Sequence, residues 1–580
     1  MTDYRPPVSD LAFVLEHVVG YPDVAALPGF EHADLETVVG MLEECGDFMA
    51  KVVAPTNRIG DTEGASWKPD GTVTLPAAFG TAYDKYVESG WGSVPFPEEF
   101  GGGGFPHTVG LAIQEMMQSA NMAFSLGPLL TQGAIDALMH YGSDEQKQTY
   151  LPKMISGEWT GTMNLTEPQA GSDVGALTTK AVPNDDGTFA ISGGKIFITF
   201  GEHELSEQIV HLVLARTPGA PAGTKGISCF IVPKFLVNED GSLGERNAVT
   251  CVGIEHKLGI HGSPTCVMSY EGATGYLIGE ENLGMRIMFV MMNVARLSVG
   301  TQGLAMAERA YQQSLEYAKE RVQGGSAIIE FPDVRRMLLT QKAYIAAMRR
   351  LMLLNAVHMD HSNFDPDEAV RTRAAELVGL LTPICKSFGT DLGNELTSIA
   401  VQIHGGMGFI EETGAAQHLR DVRIAAIYEG TNGIQAADLV GRKLGVRGGA
   451  SFTEFIAEMR GILPELEGEQ FASIRSSLSE QLDGLQQTTE WMLRTGATDP
   501  NAVLAGSSPY LRIWGLVVGG WLLARSALAA STAGDPDTAE EQLVLARFYA
   551  EQLLPQAGGL AAASTAGERD LYALSAAQLS

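Results

Sequence analysis

A single acid, Glu429, stands in the stretch IYEGTNGIQ (residues 427–435), between an aromatic residue and a glycine and just after the apolar run RIAAI. Burial disfavours the charged form of a carboxyl and raises its pKa, so an acid set in sequence that excludes water calls for a reason. By itself, an isolated Glu reads as a solvated surface acid. Asn432 followed three residues later by Gln435 resembles a capping arrangement, so a helix is expected to begin there, with Glu429 just before its N-terminus. Two further stretches could touch a ligand. MNLTEPQAGSDVG (163–175) offers backbone amides and the hydroxyls of Thr166 and Ser172, able to bind a planar heterocycle or a phosphate without adding charge. VQIHGGMGF (401–409) contains a glycine pair that permits close backbone approach. Taken singly, the former reads as a turn-rich connection and the latter is weak.

Other chemistries find less support. GGGGFP and GGMGFI lack the final glycine of G-x-G-x-x-G and sit in no clear βαβ unit, and neither a Walker-type loop nor a G-x-S-x-G elbow occurs. Cys251, His256, His261 and Cys266 are spaced by five in CVGIEHKLGIHGSPTC. A step of five fits neither a strand nor a helix, and the short Cys-x-x-Cys pair of closed zinc sites is missing. A loop between strands is the better reading, and no metal is expected.

The elements that must position these residues follow from texture. Residues 1–160 read as helical, with amphipathic runs such as DLETVVGMLEECGDFMAKVV broken by the loop VPFPEEFGGGGFP. Residues 161–275 read as an antiparallel β domain: TFAISGGKIFITF, IVHLVLART and GISCFIVPK are short β-rich runs separated by turn clusters. Residues 276–446 are helical again; Leu304, Ala307, Tyr311, Leu315, Ala318 and Val322 advance by threes and fours along one face. GVRGGAS then reads as a linker, and 451–580 as an additional C-terminal helical domain. The fold class is mainly α with a central β domain.

Composition bounds the function. With 45% hydrophobic and 19% charged residues the chain is globular, and its net charge of -30 repels nucleic acid and anionic membranes. Five scattered cysteines suit a reducing cytoplasm. The N-terminus has neither a basic n-region nor a long apolar h-region, so no signal peptide is read. IWGLVVGGWLLA (513–524), bounded by Arg512 and Arg525, is too short for a bilayer crossing of roughly 20 residues and is expected in the core.

In combination and in this order, TEPQAGSD and IYEGTNGIQ resemble the acyl-CoA dehydrogenase flavoprotein family over about residues 40–445. The extra C-terminal domain, the HKLG turn and FPDVRRMLL (331–339) are most similar to its 3-methylmercaptopropionyl-CoA dehydrogenase branch, with large fatty-acyl-CoA dehydrogenases sharing these features. The resemblance implies FAD as cofactor and an acyl-CoA as substrate, oxidised to a trans-2-enoyl-CoA. It implies Glu429 as the general base, its backbone N–H holding the thioester oxygen. Met163, Leu165, Thr166, Ser172, Phe197 and Thr199 would contact the flavin. Arg321 would reach the pyrophosphate of a neighbouring subunit's FAD, and Gln402, Gly405 and Gly406 its adenylate half, with Thr431 and Gly433 also on the cofactor. Ser172, Asn293, Arg296, Tyr428 and Gly430 would line the substrate site. Sharing FAD across subunits implies a homodimer or a dimer of dimers, with an electron-transfer flavoprotein as acceptor.

Several positions depart from the family pattern. Asn293 stands where aspartate is frequent, Met163 where an aromatic residue is, Phe197 where tryptophan is, His404 where phenylalanine is, and Gly324 where R-x-x-F-G places Phe. Medium- or long-chain acyl-CoA and an oxidase using oxygen remain open alternatives. A nucleic-acid-binding relative similar to the alkylation-response proteins is disfavoured by the acidic charge.

Overall fold

The computed structural model describes residues 4–580. Compactness groups the chain differently from its texture. One unit comprises residues 1–43, 106–115 and 296–580, and the other residues 44–105 and 116–295.

The second unit is built around a seven-stranded sheet. Its strands are β1 (Trp159–Asn164), β2 (Lys180–Pro183), β3 (Phe189–Thr199), β4 (Gln208–Ala215), β5 (Ser228–Pro233), β6 (Val249–Ile254) and β7 (Thr265–Leu277). The order is β1-β4-β5-β7-β3-β2, with β6 also paired to β7. Pairing is antiparallel except at one edge, where β1 runs parallel to β4 in the register Trp159 opposite Gln208. A parallel neighbour requires a long crossover, and here that crossover contains β2 and β3. β1, β4 and β5 are buried along their whole length, β1 with Thr160 and Thr162 hydrogen-bonded to His203 and His211, whereas β3 and β7 alternate. The helix Asp144–Ser156 begins in a capping box of Ser143 and Gln146, and the Gln146 amide also donates to the Leu277 carbonyl at 2.8 Å.

The first unit is helical. Its long elements are α1 (Gly284–Glu320, from residue 296 onward), α2 (Pro332–Phe364), α3 (Glu368–His404), α4 (Asn432–Asp438), α5 (Ala472–Gly496) and α6 (Ser507–Thr532). Proline at the first position of α2 and an Asp367 cap on the Ala369 amide of α3 satisfy the usual start rules. The apolar face of α1 runs as expected through Ala318, but Val322 lies past the helix end in a two-residue strand and is exposed. Glycine-rich sequence just beyond it allows the chain to turn back, and the helical period stops there.

α1 and α3 cross with almost no side chain between them. A Cβ added at Gly303 would fall 2.0 Å from the carbonyl oxygen of Gly389, and one at Gly389 would fall 2.5 Å from that of Gly300. Gly393 in turn faces the Gly303 backbone at 2.7 Å. Only glycine permits this approach. α6 contains the apolar stretch 513–524 and is long and apolar enough to cross a membrane by composition, yet 83% of its most apolar window is buried within the protein. Its Gly515 rests on the Phe388 ring of α3.

Buried charge also organises this unit. Arg349 of α2 pairs with Asp10 at 2.6 Å, Glu115 at 2.6 Å and Glu308 at 2.9 Å, while Arg350 reaches Asp10 at 3.1 Å and the Gln542 and Ser526 side chains. Removing one partner of such a cluster leaves the others charged and dehydrated, so it fixes which helices meet.

Gly303→Ala is expected to force α1 and α3 apart and to lower stability by about 1–3 kcal/mol or more, the cost of overpacking a tight contact. Gly441→Ala, where an added Cβ meets nothing within 4 Å, should leave the denaturation midpoint unchanged or raised. Chemical denaturation of the two variants checks this.

Candidate active site

Glu429 lies in a short irregular turn between the 3-10 turn Arg423–Ala426 and α4. Its backbone is left-handed, at φ 56°, and Gly430 follows at φ 84°. For a residue with a Cβ that conformation is strained and persists only where neighbours impose it. Two side chains do so. Arg296 Nε of α1 donates to the Glu429 carbonyl at 3.3 Å, and Gln435 Nε2 donates to the carbonyls of Glu429 and Gly430 at 3.2 and 3.3 Å. A Cβ at position 430 would sit 2.8 Å from that Gln435 amide, so a side chain there would displace the clamp.

Thr431 caps α4, its hydroxyl accepting from the Ile434 amide at 3.3 Å, and Asn432 is the first helical residue. The expected Asn432–Gln435 capping pair is thereby replaced: Gln435 turns back to the carbonyls before the helix, and Asn432 turns toward α3. Asn432 Oδ1 accepts from Lys386 Nζ at 2.8 Å, and its Nδ2 donates to Asp391 at 2.7 Å and to the Thr390 hydroxyl at 3.0 Å. The Tyr428 hydroxyl donates to Gln302 Oε1 of α1.

The Glu429 carboxyl is pushed up to about 7, with burial the largest influence; the positive charges of Arg296 and Lys386 pull the other way and are outweighed. Burial likewise lowers Lys386 to about 7, opposed by Glu429 and Asp391. Among the described residues, no acceptor takes the backbone N–H of Glu429. A desolvated carboxyl beside a free amide donor can remove a proton from a carbon next to a carbonyl whose oxygen that amide holds.

Of the residues expected in this unit, Tyr428, Glu429, Gly430, Thr431 and Arg296 come together. Gly433 is exposed on the first turn of α4. Arg321, Gln402, Gly405 and Gly406 are exposed at the ends of α1 and α3, and Gly405 takes a left-handed backbone where α3 stops. In the sheet unit, Met163 and Leu165 are buried on and just after β1, Asn293 is exposed, and Ser172 is exposed on the loop that follows Ala170. Among the described residues, the hydroxyls of Thr166, Ser172 and Thr199 meet no partner, and Phe197 presents a 58% exposed ring from a left-handed backbone at φ 60°. The loop bearing Thr166 is clasped by Glu167, whose carboxylate accepts from Lys195 at 2.8 Å and from the amides of Thr178 and Thr179 at 2.7 and 3.0 Å. Exposed aromatic surface beside unengaged hydroxyls fits the face and polar edge of a flavin ring.

Gln302 and Lys386 had no place in the reading of the sequence, and Asn432 entered it only as a helix cap. The signal for Lys386 is a lone cation inside the apolar run LVGLLTPICKSF. The zinc-like quartet does not assemble: among the described residues no group of three or more His, Cys, Asp or Glu could hold a metal. His261 instead meets Asp61 at 2.9 Å, and Cys251 and Cys266 are buried on the paired strands β6 and β7.

Residues 39–158, 162–273 and 282–444 match the N-terminal, middle and C-terminal domains of acyl-CoA dehydrogenases. The chain is a member of the acyl-CoA dehydrogenase family. Residues 452–575 match a further domain described as acetyl-CoA dehydrogenase C-terminal like. The 3-methylmercaptopropionyl-CoA dehydrogenase of Ruegeria pomeroyi is 49% identical over 95% of this chain and 96% of its own. The broad-specificity linear acyl-CoA dehydrogenase FadE5 of Mycobacterium tuberculosis is 34% identical over 96% of each. Butyryl-CoA dehydrogenase of Megasphaera elsdenii shares 28% identity and a TM-score of 0.59 over 70% of this chain and 98% of that one. An acyl-CoA dehydrogenase of Bacillus anthracis complexed with FAD has the same fold, with a TM-score of 0.76 at 20% identity over 95% of this chain and 91% of that one. This acyl-CoA dehydrogenase is therefore an FAD-dependent oxidoreductase.

Because the folded carboxyl of Glu429 titrates near 7 and an ordinary Glu near 4.5, the folded state holds that proton more tightly. The destabilisation from ionising it is absent below pH 4.5, grows between 4.5 and 7, and is complete above 7. Glu429→Gln should accordingly stabilise the flavin-free protein by about 1–3 kcal/mol more at pH 8 than at pH 4.5, measured by urea denaturation at both values.

Proposed function

We propose that Glu429, as carboxylate, removes the α-proton of an acyl-CoA thioester while its own backbone N–H holds the thioester oxygen. The observation that carries this reading is the coincidence, on one half-buried residue, of a carboxyl pushed up to about 7 and an unengaged amide. Bound FAD would supply the acceptor for the β-hydrogen, which leaves the substrate as a hydride to give the trans-2-enoyl-CoA. Arg296 and Gln435 hold the turn rigid by gripping its carbonyls, so the carboxyl approaches the substrate carbon from a fixed backbone. Tyr428, tied to Gln302, supplies one apolar wall, and Gly430 leaves the other open. Met163, Leu165, Thr166, Ser172, Phe197 and Thr199 would hold the flavin, and Thr431 and Gly433 would also contact the cofactor.

The substrate we infer is 3-methylmercaptopropionyl-CoA, supported by the 49% identity with the Ruegeria enzyme along nearly the whole of both chains. The acceptor we infer is an electron-transfer flavoprotein; a solved chain described as an electron transferring flavoprotein of Acidaminococcus fermentans shares 28% identity and a TM-score of 0.59 over 70% of this chain. The assembly we infer is a homodimer or dimer of dimers in the cytoplasm. Exposed Arg321 and Gln402, with the exposed apolar Met407, Phe409 and Ile410, support a subunit contact that completes the cofactor site, and five free cysteines support a reducing compartment.

Anaerobic flavin bleaching tests the chemistry. Wild-type protein should bleach with 3-methylmercaptopropionyl-CoA faster than with octanoyl- or palmitoyl-CoA. Glu429→Gln should stay yellow and lose bleaching by a factor on the order of 10⁴ or more, since base and orientation go together. Normal bleaching by that variant would overturn the assignment, and faster bleaching by a long chain would overturn the substrate.

A further inference from the structure

Lys386 stands behind the proposed base with no function assigned to it. Its side chain is wholly buried on α3, three residues before the Gly389 of the helix crossing. A buried ammonium is costly unless it is paired and fully hydrogen-bonded. Lys386 makes one hydrogen bond, to Asn432 Oδ1 at 2.8 Å, although it carries three donors. It forms no salt bridge within 4.0 Å among the described residues, whereas the buried lysine of the sheet unit, Lys195, meets Glu167 at 2.8 Å. A dehydrated, under-bonded cation is therefore held against Asn432, the residue that starts α4 three positions after the base.

We propose that Lys386 is a positioning residue for proton abstraction: its ammonium fixes the base-bearing turn through Asn432 and supplies the counter-charge that favours the Glu429 carboxylate. The inference rests on Glu429 being the base. The groups facing Glu429 come from three elements. α1 contributes Arg296, α3 contributes Lys386 with Asp391 on the far side of Asn432, and α4 and its continuation contribute Asp438, Arg442 and Lys443 around Arg296. Arg296 spends its Nε–H on the Glu429 carbonyl while its charge, with that of Lys386, also favours the carboxylate; Lys386 adds its charge from α3 and its hydrogen bond to Asn432. Burial pushes the Glu429 carboxyl up, and Lys386 offsets part of that rise, leaving the acid able to ionise near neutral pH. Without this cation less positive charge would oppose the effect of burial, and the base would ionise at higher pH.

The test compares FAD-loaded wild type, Lys386→Met, Lys386→Gln, Lys386→Arg and Glu429→Gln, with flavin bleaching by 3-methylmercaptopropionyl-CoA followed from pH 5.5 to 9.5. If that thioester is not oxidised, butyryl-CoA serves as the probe. Lys386→Met should move the acid limb of the rate to higher pH by about one unit, so that the rate falls about tenfold at pH 6 and less than about threefold at pH 9. Lys386→Arg should restore the wild-type limb. Lys386→Gln keeps a donor for Asn432 without the charge; it should show the shifted limb with a near-normal plateau, and it carries the test if the Met variant does not fold. An unmoved limb in Lys386→Gln, with Glu429→Gln inactive, overturns the role of Lys386 and leaves the base in place. Lower flavin occupancy or lower stability with an unmoved limb marks a purely structural lysine and overturns it too. Bleaching by Glu429→Gln would remove the base and this inference together.

Discussion

The crossing of α1 and α3 is the constraint on which the catalytic turn depends. Gly300 and Gly303 on one helix and Gly389 and Gly393 on the other let two backbones touch where most helix pairs interpose side chains. Each helix carries part of the grip on the turn: Arg296 and Gln302 from α1, Lys386 and Asp391 from α3. Widening the crossing by the size of a methyl group would move the two halves of the grip apart. Hydrogen bonds of about 3 Å do not survive a displacement of that size without rearrangement.

At the turn itself, opposing effects are kept near balance. Burial raises the carboxyl of Glu429, while two cations lower it without forming a direct ion pair with it. A direct pair would hold the acid ionised and make it a poor base; no cation at all would hold it neutral. The left-handed backbone has a related logic. It turns the Glu429 amide away from helical bonding and leaves the N–H without a partner, while the carbonyl on the other side is held twice. Within the turn the strain falls on the residue proposed as the base, since the left-handed residue after it is a glycine.

Much of this was legible in the sequence, and the parts that were not share a cause. The order of helical and β textures follows from local periodicity, and IYEGTNGIQ with TEPQAGSD pointed to the family and to Glu429. What periodicity could not supply were pairings between distant segments. The parallel β1–β4 contact, the joining of residues 1–43 with the later helices, and the hydrogen bond from Lys386 to Asn432 all link residues tens to hundreds of positions apart. Local errors have local reasons. Asn432 resembles a cap, but Thr431 reaches the Ile434 amide first, which frees Asn432 for α3. Val322 fits the helical period by arithmetic, although the helix ends at Glu320 before a glycine pair.

The seating of α6 bears on how such a protein can change over evolutionary time. Gly515 lies against Phe388, and Gly519 against Ala347 of α2, so the added C-terminal helices share a core with the helix that holds Lys386. A shorter ancestor or descendant could not shed residues 451–580 as one drops a tethered module. It would have to repaint the uncovered flanks of α2 and α3 with polar residues at the same time, or hide them beneath another subunit. Chain length in this lineage is thus coupled to the interior of the catalytic bundle rather than to its periphery.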